Sequence, residues 1–134
     1  MESGKLTMRP EFHELTEFLK SNPVIVPVPL HPERLKMRGF NQAEIIAKSL
    51  SKIFNLPTSN LLRRIKNTNQ QVGRIRADRL VNMQNAFSLS TSSLALSTVL
   101  LVDDVWTTGA TLSECAKTLK QAGIKSLWGL VLAR

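Results

Sequence analysis

The chain has a single cysteine, Cys115, among its 134 residues. One thiol excludes an internal disulfide and a cysteine-rich zinc site. There are two histidines, and no base or metal partner is identifiable in sequence for either. His13 falls between apolar helical positions and reads as a surface residue. His31 follows a strand end, where a role outside chemistry is the expectation. No apolar run approaches the length that crosses a membrane. No N-terminal stretch combines the charged, apolar and cleavage regions of a signal peptide, because Arg9, Glu11, His13 and Glu14 interrupt the apolar positions. A single domain over residues 1–134, in the cytoplasm and without a membrane partner, is the expectation. Acids are scarce beside bases: ten Asp and Glu face eighteen Lys and Arg, for a net charge of +8. A surface of that sign attracts polyanions, which bears on partners and not on fold.

What is present centres on Thr98 to Leu119, TVLLVDDVWTTGATLSECAKTL. Val99 to Val102 is a short, continuous apolar run, as expected of a strand buried in a parallel sheet. Asp103 and Asp104 follow, then Thr107, Thr108, Gly109, Ala110 and Thr111, then a helical stripe of Leu112, Cys115, Ala116 and Leu119. In an open α/β sheet, ligands sit beyond the carboxyl ends of strands, where a helix N-terminus offers unpaired N–H groups. Gly109 and Ala110 allow close backbone approach, and the three threonines add hydroxyl donors. The acid pair suits a sugar diol or hydrated Mg²⁺ and would repel a phosphate. Phosphate at one end and hydroxyls beside it describe a ribose 5-phosphate. The spacing of Thr111 and Glu114 also permits a capping box. A helix that begins nearer Thr108, with Thr111 left free for ligand, is the expectation taken forward.

These residues resemble the 5-phosphoribosyl-1-pyrophosphate (PRPP) motif of type I phosphoribosyltransferases. That resemblance implies an acidic pair on the ribose hydroxyls and a Thr/Gly loop around the 5-phosphate.

Elsewhere, residues 1–22 read as a loose lead-in followed by a helix over Phe12 to Lys20, stopped at Asn22-Pro23. Val24 to Val28 reads as a strand whose end is marked by Pro27 and Pro29. Leu30 to Gln42 reads as a basic loop with Arg34, Lys36 and Arg38 against one acid, Glu33. Its guanidinium groups suit a diphosphate, and a plain solvated loop fits equally well. Ala43 to Phe54 carries a helical stripe closed by Asn55 and Pro57. Leu61 to Phe87 is the most basic stretch and lacks a clean period. A mobile loop leading into a short helix near Ala77 to Met83 is expected there. Ser88 to Ser97 reads as a Ser-rich connector, either a loop or an edge strand and turn, and Ser126 to Leu132 as a last strand after a helix end at Gly123. Cys115 and Trp128 read as core, while Trp106 sits in the motif loop.

Together, Val26-Pro-Val-Pro-Leu-His-Pro, Arg38-Gly-Phe-Asn-Gln-Ala and the Asp-Asp-Val-Trp-Thr-Thr-Gly-Ala-Thr motif are similar to the ComF family of amidophosphoribosyltransferase-like competence proteins. Thr68, Gln71, Arg79, Asn82 and Phe87 fall in its Thr-x-x-Gln…Arg-x-x-Asn…Phe pattern. Many members begin with a zinc ribbon, which is not recognisable here, and a further helical segment, to whose tail alone Phe12 to Lys20 corresponds. The resemblance implies a three-layer α/β fold with a mostly parallel sheet flanked by helices. It also implies transfer of ribose 5-phosphate from PRPP to a nitrogen acceptor that the sequence does not identify. Under it, Asp103 and Asp104 hold ribose and Mg²⁺, Thr107 to Thr111 hold the 5-phosphate, and Arg34 and Arg38 hold pyrophosphate. A non-catalytic competence accessory that binds single-stranded DNA or another competence protein is the rival reading, with Arg63, Arg64, Arg74 and Arg76 as its contacts. Too few aromatics accompany those arginines for the usual stacking platform. A PRPP sensor without turnover and a homodimeric assembly are further possibilities.

Overall fold

The computed structural model describes residues 10–66, 85–90, 98–105 and 109–133. The elements are α1 (Pro10–Lys20), β1 (Val24–Pro27), α2 (Pro32–Arg38), α3 (Gln42–Phe54), β2 (Leu62–Arg64), β3 (Phe87–Leu89), β4 (Thr98–Val105), α4 (Ala110–Gln121) and β5 (Ser126–Ala133).

The apolar runs pair as parallel strands in the order β1-β4-β5, with Val24 opposite Val99 and Leu100 opposite Trp128. A bridge from Ile25 to Thr58 adds a further parallel contact on the β1 side. Because successive strand side chains point to opposite faces, each run feeds two cores. Val24, Val26, Val99, Leu101 and Leu127 face α4 and the small antiparallel β2–β3 pair, packing on Cys115, Leu119 and Phe87. Ile25, Leu100, Val102, Trp128 and Leu130 face α1 and α3, packing on Phe18, Ile46 and Ala47. The chain therefore forms three α/β layers around a parallel sheet, as expected.

The helices are set by local chemistry. Asn41 caps α3: its side-chain oxygen accepts from the Ala43 N–H at 3.1 Å, and Asn55 closes the helix in the left-handed conformation. α4 starts at Gly109, whose φ of 82° suits a residue without Cβ.

Three expectations change. Leu30 to Gln42 is not an irregular loop, because α2 occupies its centre. The His31 side chain accepts from the Glu33 N–H at 3.1 Å, Pro32 supplies a preset φ in the first turn, and Gly39 ends the helix at φ 90°. The Asp pair lies inside β4 and not after it, since Asp103 is paired with Val131 and the ladder runs on to Val105 opposite Ala133. The start of the basic stretch is an antiparallel strand, with Leu62 opposite Leu89 and Arg64 opposite Phe87. Residues 67–84, including the helix expected near Ala77 to Met83, lie outside the described residues.

Candidate functional site

At the carboxyl ends of β1 and β4 lies a cleft of about 260 Å³. Open parallel sheets bind ligands at this edge. Asp103, Asp104 and Val105 enter it from β4, and Val28, Pro29 and Leu30 from the end of β1. Arg34 and Arg38 enter from one face of α2, Asn41 from the α3 cap, Arg64 from β2 and Thr111 from the first turn of α4. The structure thus brings together residues that lie far apart in sequence.

The walls of the cleft are tied to the sheet. The Val28 N–H donates to the Val102 carbonyl at 2.9 Å, and the Asn41 side-chain amide donates to the Val28 carbonyl at 3.0 Å. Asn41 therefore fixes both the start of α3 and the position of the β1 exit.

The Asp104 N–H donates to Asp103 Oδ1 at 2.9 Å. Burial pushes the Asp103 carboxyl up from 3.8 to about 7, and neighbouring Asp104 adds to the shift. The backbone hydrogen bond and the Arg64 charge oppose it in part. Beneath the cleft, Cys115 is fully buried, and burial raises its thiol well above the usual range. It is core, with no nucleophilic character.

Arg63 and Arg64 do not share a surface. Alternation along β2 turns Arg63 outward to solvent and Arg64 inward, where it is half-buried with its guanidinium 5.2 Å from the centre of the Phe87 ring. Burial lowers the Arg64 pKa from its ordinary value. Arg64 therefore belongs to the cleft, and Arg74 and Arg76 lie outside the described residues, as do Trp106, Thr107 and Thr108. Gly109 and Ala110 form the start of α4 and Thr111 lies in its first turn. The helix begins one to two residues later than expected, yet Thr111 does not cap it. Glu114 accepts from the Asn85 N–H at 2.8 Å and pairs with Lys117, so the capping box does not form.

Sequence reasoning missed the cleft roles of Arg64 and Asn41. The signal for Asn41 was there, an asparagine directly before an amphipathic helix, whereas nothing in the sequence marks the inward face of Arg64.

The acid pair fits a divalent cation of the Mg²⁺ type. Two adjacent half-buried carboxylates are the usual protein share for Mg²⁺, whose remaining ligands come from water and substrate phosphates. Among the described residues no group of three or more His, Cys, Asp or Glu side chains could make a closed metal cage. Nor is any described helix long and apolar enough to cross a membrane.

A family model described as phosphoribosyl transferase domain matches residues 18–133. Competence protein F of Haemophilus influenzae is 42% identical over 123 residues, covering 88% of this chain and 54% of that protein. Competence protein ComFC of Bacillus subtilis is 36% identical over 100 residues, covering 75% of this chain and 39% of that protein. DNA utilization protein YhgH of Escherichia coli is 34% identical over 111 residues, covering 82% and 48%. The chain spans about half the length, or less, of these relatives. With the parallel sheet, the acid pair and the cleft in place, the chain belongs to the phosphoribosyl transferase domain family, on the branch that holds the ComF competence proteins.

Proposed function

We propose that the cleft binds PRPP with Mg²⁺ and transfers its ribose 5-phosphate to a nitrogen acceptor, releasing pyrophosphate. The observation that carries this reading is the convergence of two carboxylates, Arg34 and Arg38 at one sheet edge, beside the start of α4. In this reaction a bond from C1 to nitrogen forms as the bond from C1 to the pyrophosphate oxygen breaks. Positive charge develops on the sugar ring and negative charge on the leaving group. Asp103 and Asp104 hold the ribose hydroxyls and oppose the first charge, while Arg34 and Arg38 grip the second with paired donors. Asp103 and Asp104 would hold Mg²⁺, which would supply positive charge against that of the leaving group. Gly109, Ala110 and Thr111, with Thr107 and Thr108, anchor the 5-phosphate. That remote contact orients C1 for attack.

The test is to follow pyrophosphate release from PRPP and Mg²⁺ against a panel of ammonia, amine and heterocyclic nitrogen acceptors. Acceptor-dependent release that Asp104→Asn abolishes supports transfer. A protein that binds PRPP yet releases nothing with any acceptor is a PRPP sensor, and catalysis is then discarded.

The DNA reading has less support from the described residues, because Arg64 is turned into the cleft and away from Arg63. What favours it is the net charge of +8 and the likeness to relatives that are DNA utilization proteins.

A further inference from the structure

Arg34 and Arg38 reach the cleft from a helix that has no buried residue. Core packing therefore does little to set where α2 stands, and the attachment of the segment's two ends matters more. The segment leaves the sheet at Val28, whose N–H donates to the Val102 carbonyl at 2.9 Å. It returns at Asn41, whose side-chain amide donates back to the Val28 carbonyl at 3.0 Å across thirteen positions of chain. Exit and return are thus closed into one neck, as in a compact loop whose ends lie together. Both ends of the Asn41 amide are engaged, since Oδ1 accepts from the Ala43 N–H at the start of α3 while Nδ2 holds Val28. Because Asp103 follows Val102 directly, the same neck is tied to the strand that carries the acid pair. Gly39, left-handed and with open space beside it, is a joint just before the neck.

We propose that Asn41 is a positioning residue: by clamping Val28 it holds the α2 arm where Arg34 and Arg38 meet the pyrophosphate end of the ligand. The inference rests on the PRPP-binding reading of the cleft and adds to it a residue that acts through α2. Without the clamp the arm samples positions in which its arginines miss the leaving group, and affinity falls by the fraction of molecules with the arm in place. The ribose 5-phosphate end, held by β4 and the start of α4, does not depend on the arm.

The test separates the clamp from the helix cap. Asn41→Ser keeps an N-cap of equal rank, but its hydroxyl stops one bond short of the amide nitrogen and the hold on Val28 is lost. Urea unfolding establishes that the variant is folded, and Asn41→Thr takes its place if it is not. The first readout is calorimetric titration of the full chain, in Mg²⁺, with PRPP, inorganic pyrophosphate and ribose 5-phosphate. The net worth of one hydrogen bond corresponds to roughly 2–10-fold in affinity, and that weakening is expected for PRPP and pyrophosphate, with ribose 5-phosphate unchanged. The second readout needs no ligand. Tryptic cleavage after Arg34, Lys36 and Arg38, resolved by mass spectrometry, should be faster in the variant because the open arm is more populated. Equal weakening of all three ligands overturns the proposal, as does unchanged PRPP affinity in the folded variant. Weaker pyrophosphate binding with unaltered cleavage also overturns it and makes Asn41 a direct ligand contact. A parent protein that binds none of the three ligands is a different result, which rejects the PRPP reading of the cleft, while the cleavage rates still decide whether Asn41 holds the arm.

Discussion

Asp103→Asn should stabilise the protein at neutral and alkaline pH while removing a carboxylate of the proposed PRPP site. Burial and Asp104 raise the Asp103 carboxyl from 3.8 to about 7, so in the folded state it keeps its proton where the unfolded chain has released it. The native state therefore binds more protons between the two values, and stability falls as pH rises through that window. Below the unfolded value both states are protonated and the cost vanishes. Above about pH 7 it is fully present. One pKa unit corresponds to about 1.4 kcal/mol, so the whole effect is on the order of 4 kcal/mol, and the part falling between about pH 5 and about pH 8 is roughly 2–3 kcal/mol. Asparagine keeps an oxygen that can accept from the Asp104 N–H but cannot ionise. Comparing variant with parent cancels the other titrating groups. Urea unfolding with a chelator present, at several pH values, should show the variant's advantage growing by that amount as pH rises. A difference that stays constant with pH would refute the assignment of the strain to Asp103.

Other consequences of the structure are open to simple measurements. Asn41→Ala should cost about 1–2 kcal/mol in urea unfolding, because it removes the α3 cap and the tether to Val28 together. Gly109→Ala places a Cβ at φ 82° and should cost about 1 kcal/mol, with weakened PRPP binding as the second readout. Cys115 should react with a thiol reagent only as fast as the molecule opens, so its labelling rate should rise with urea in step with global unfolding. Rapid labelling in buffer would contradict its buried position.

The sequence was most legible where periodicity and length agree. Val99 to Val102, the α3 stripe and the last strand each carry a pattern that one structure satisfies, and their order implied a parallel sheet with helices on both faces. The errors have physical causes. Aspartate is a poor strand former, so a strand seemed to end at Val102, but pairing with Val131 and Ala133 carries β4 through both carboxylates. Charged residues between prolines and a glycine resemble a loop, and α2 forms because His31, Pro32 and Gly39 supply its start and stop. Arg64 was misplaced because a three-residue strand has no measurable period, and the partner that defines its inward face, Phe87, is distant in the chain. Convergence on one cleft is a tertiary property, and only the fold brings Arg34, Arg38, Arg64 and the acid pair together.

The central claim is that this cleft is a working PRPP site, and calorimetric titration of PRPP with Mg²⁺ into the parent protein, Asp103→Asn and Thr108→Ala tests it most directly. Saturable binding that both substitutions abolish is the predicted result. No heat from folded parent protein over a range of temperatures, or equal binding by all three, would contradict it.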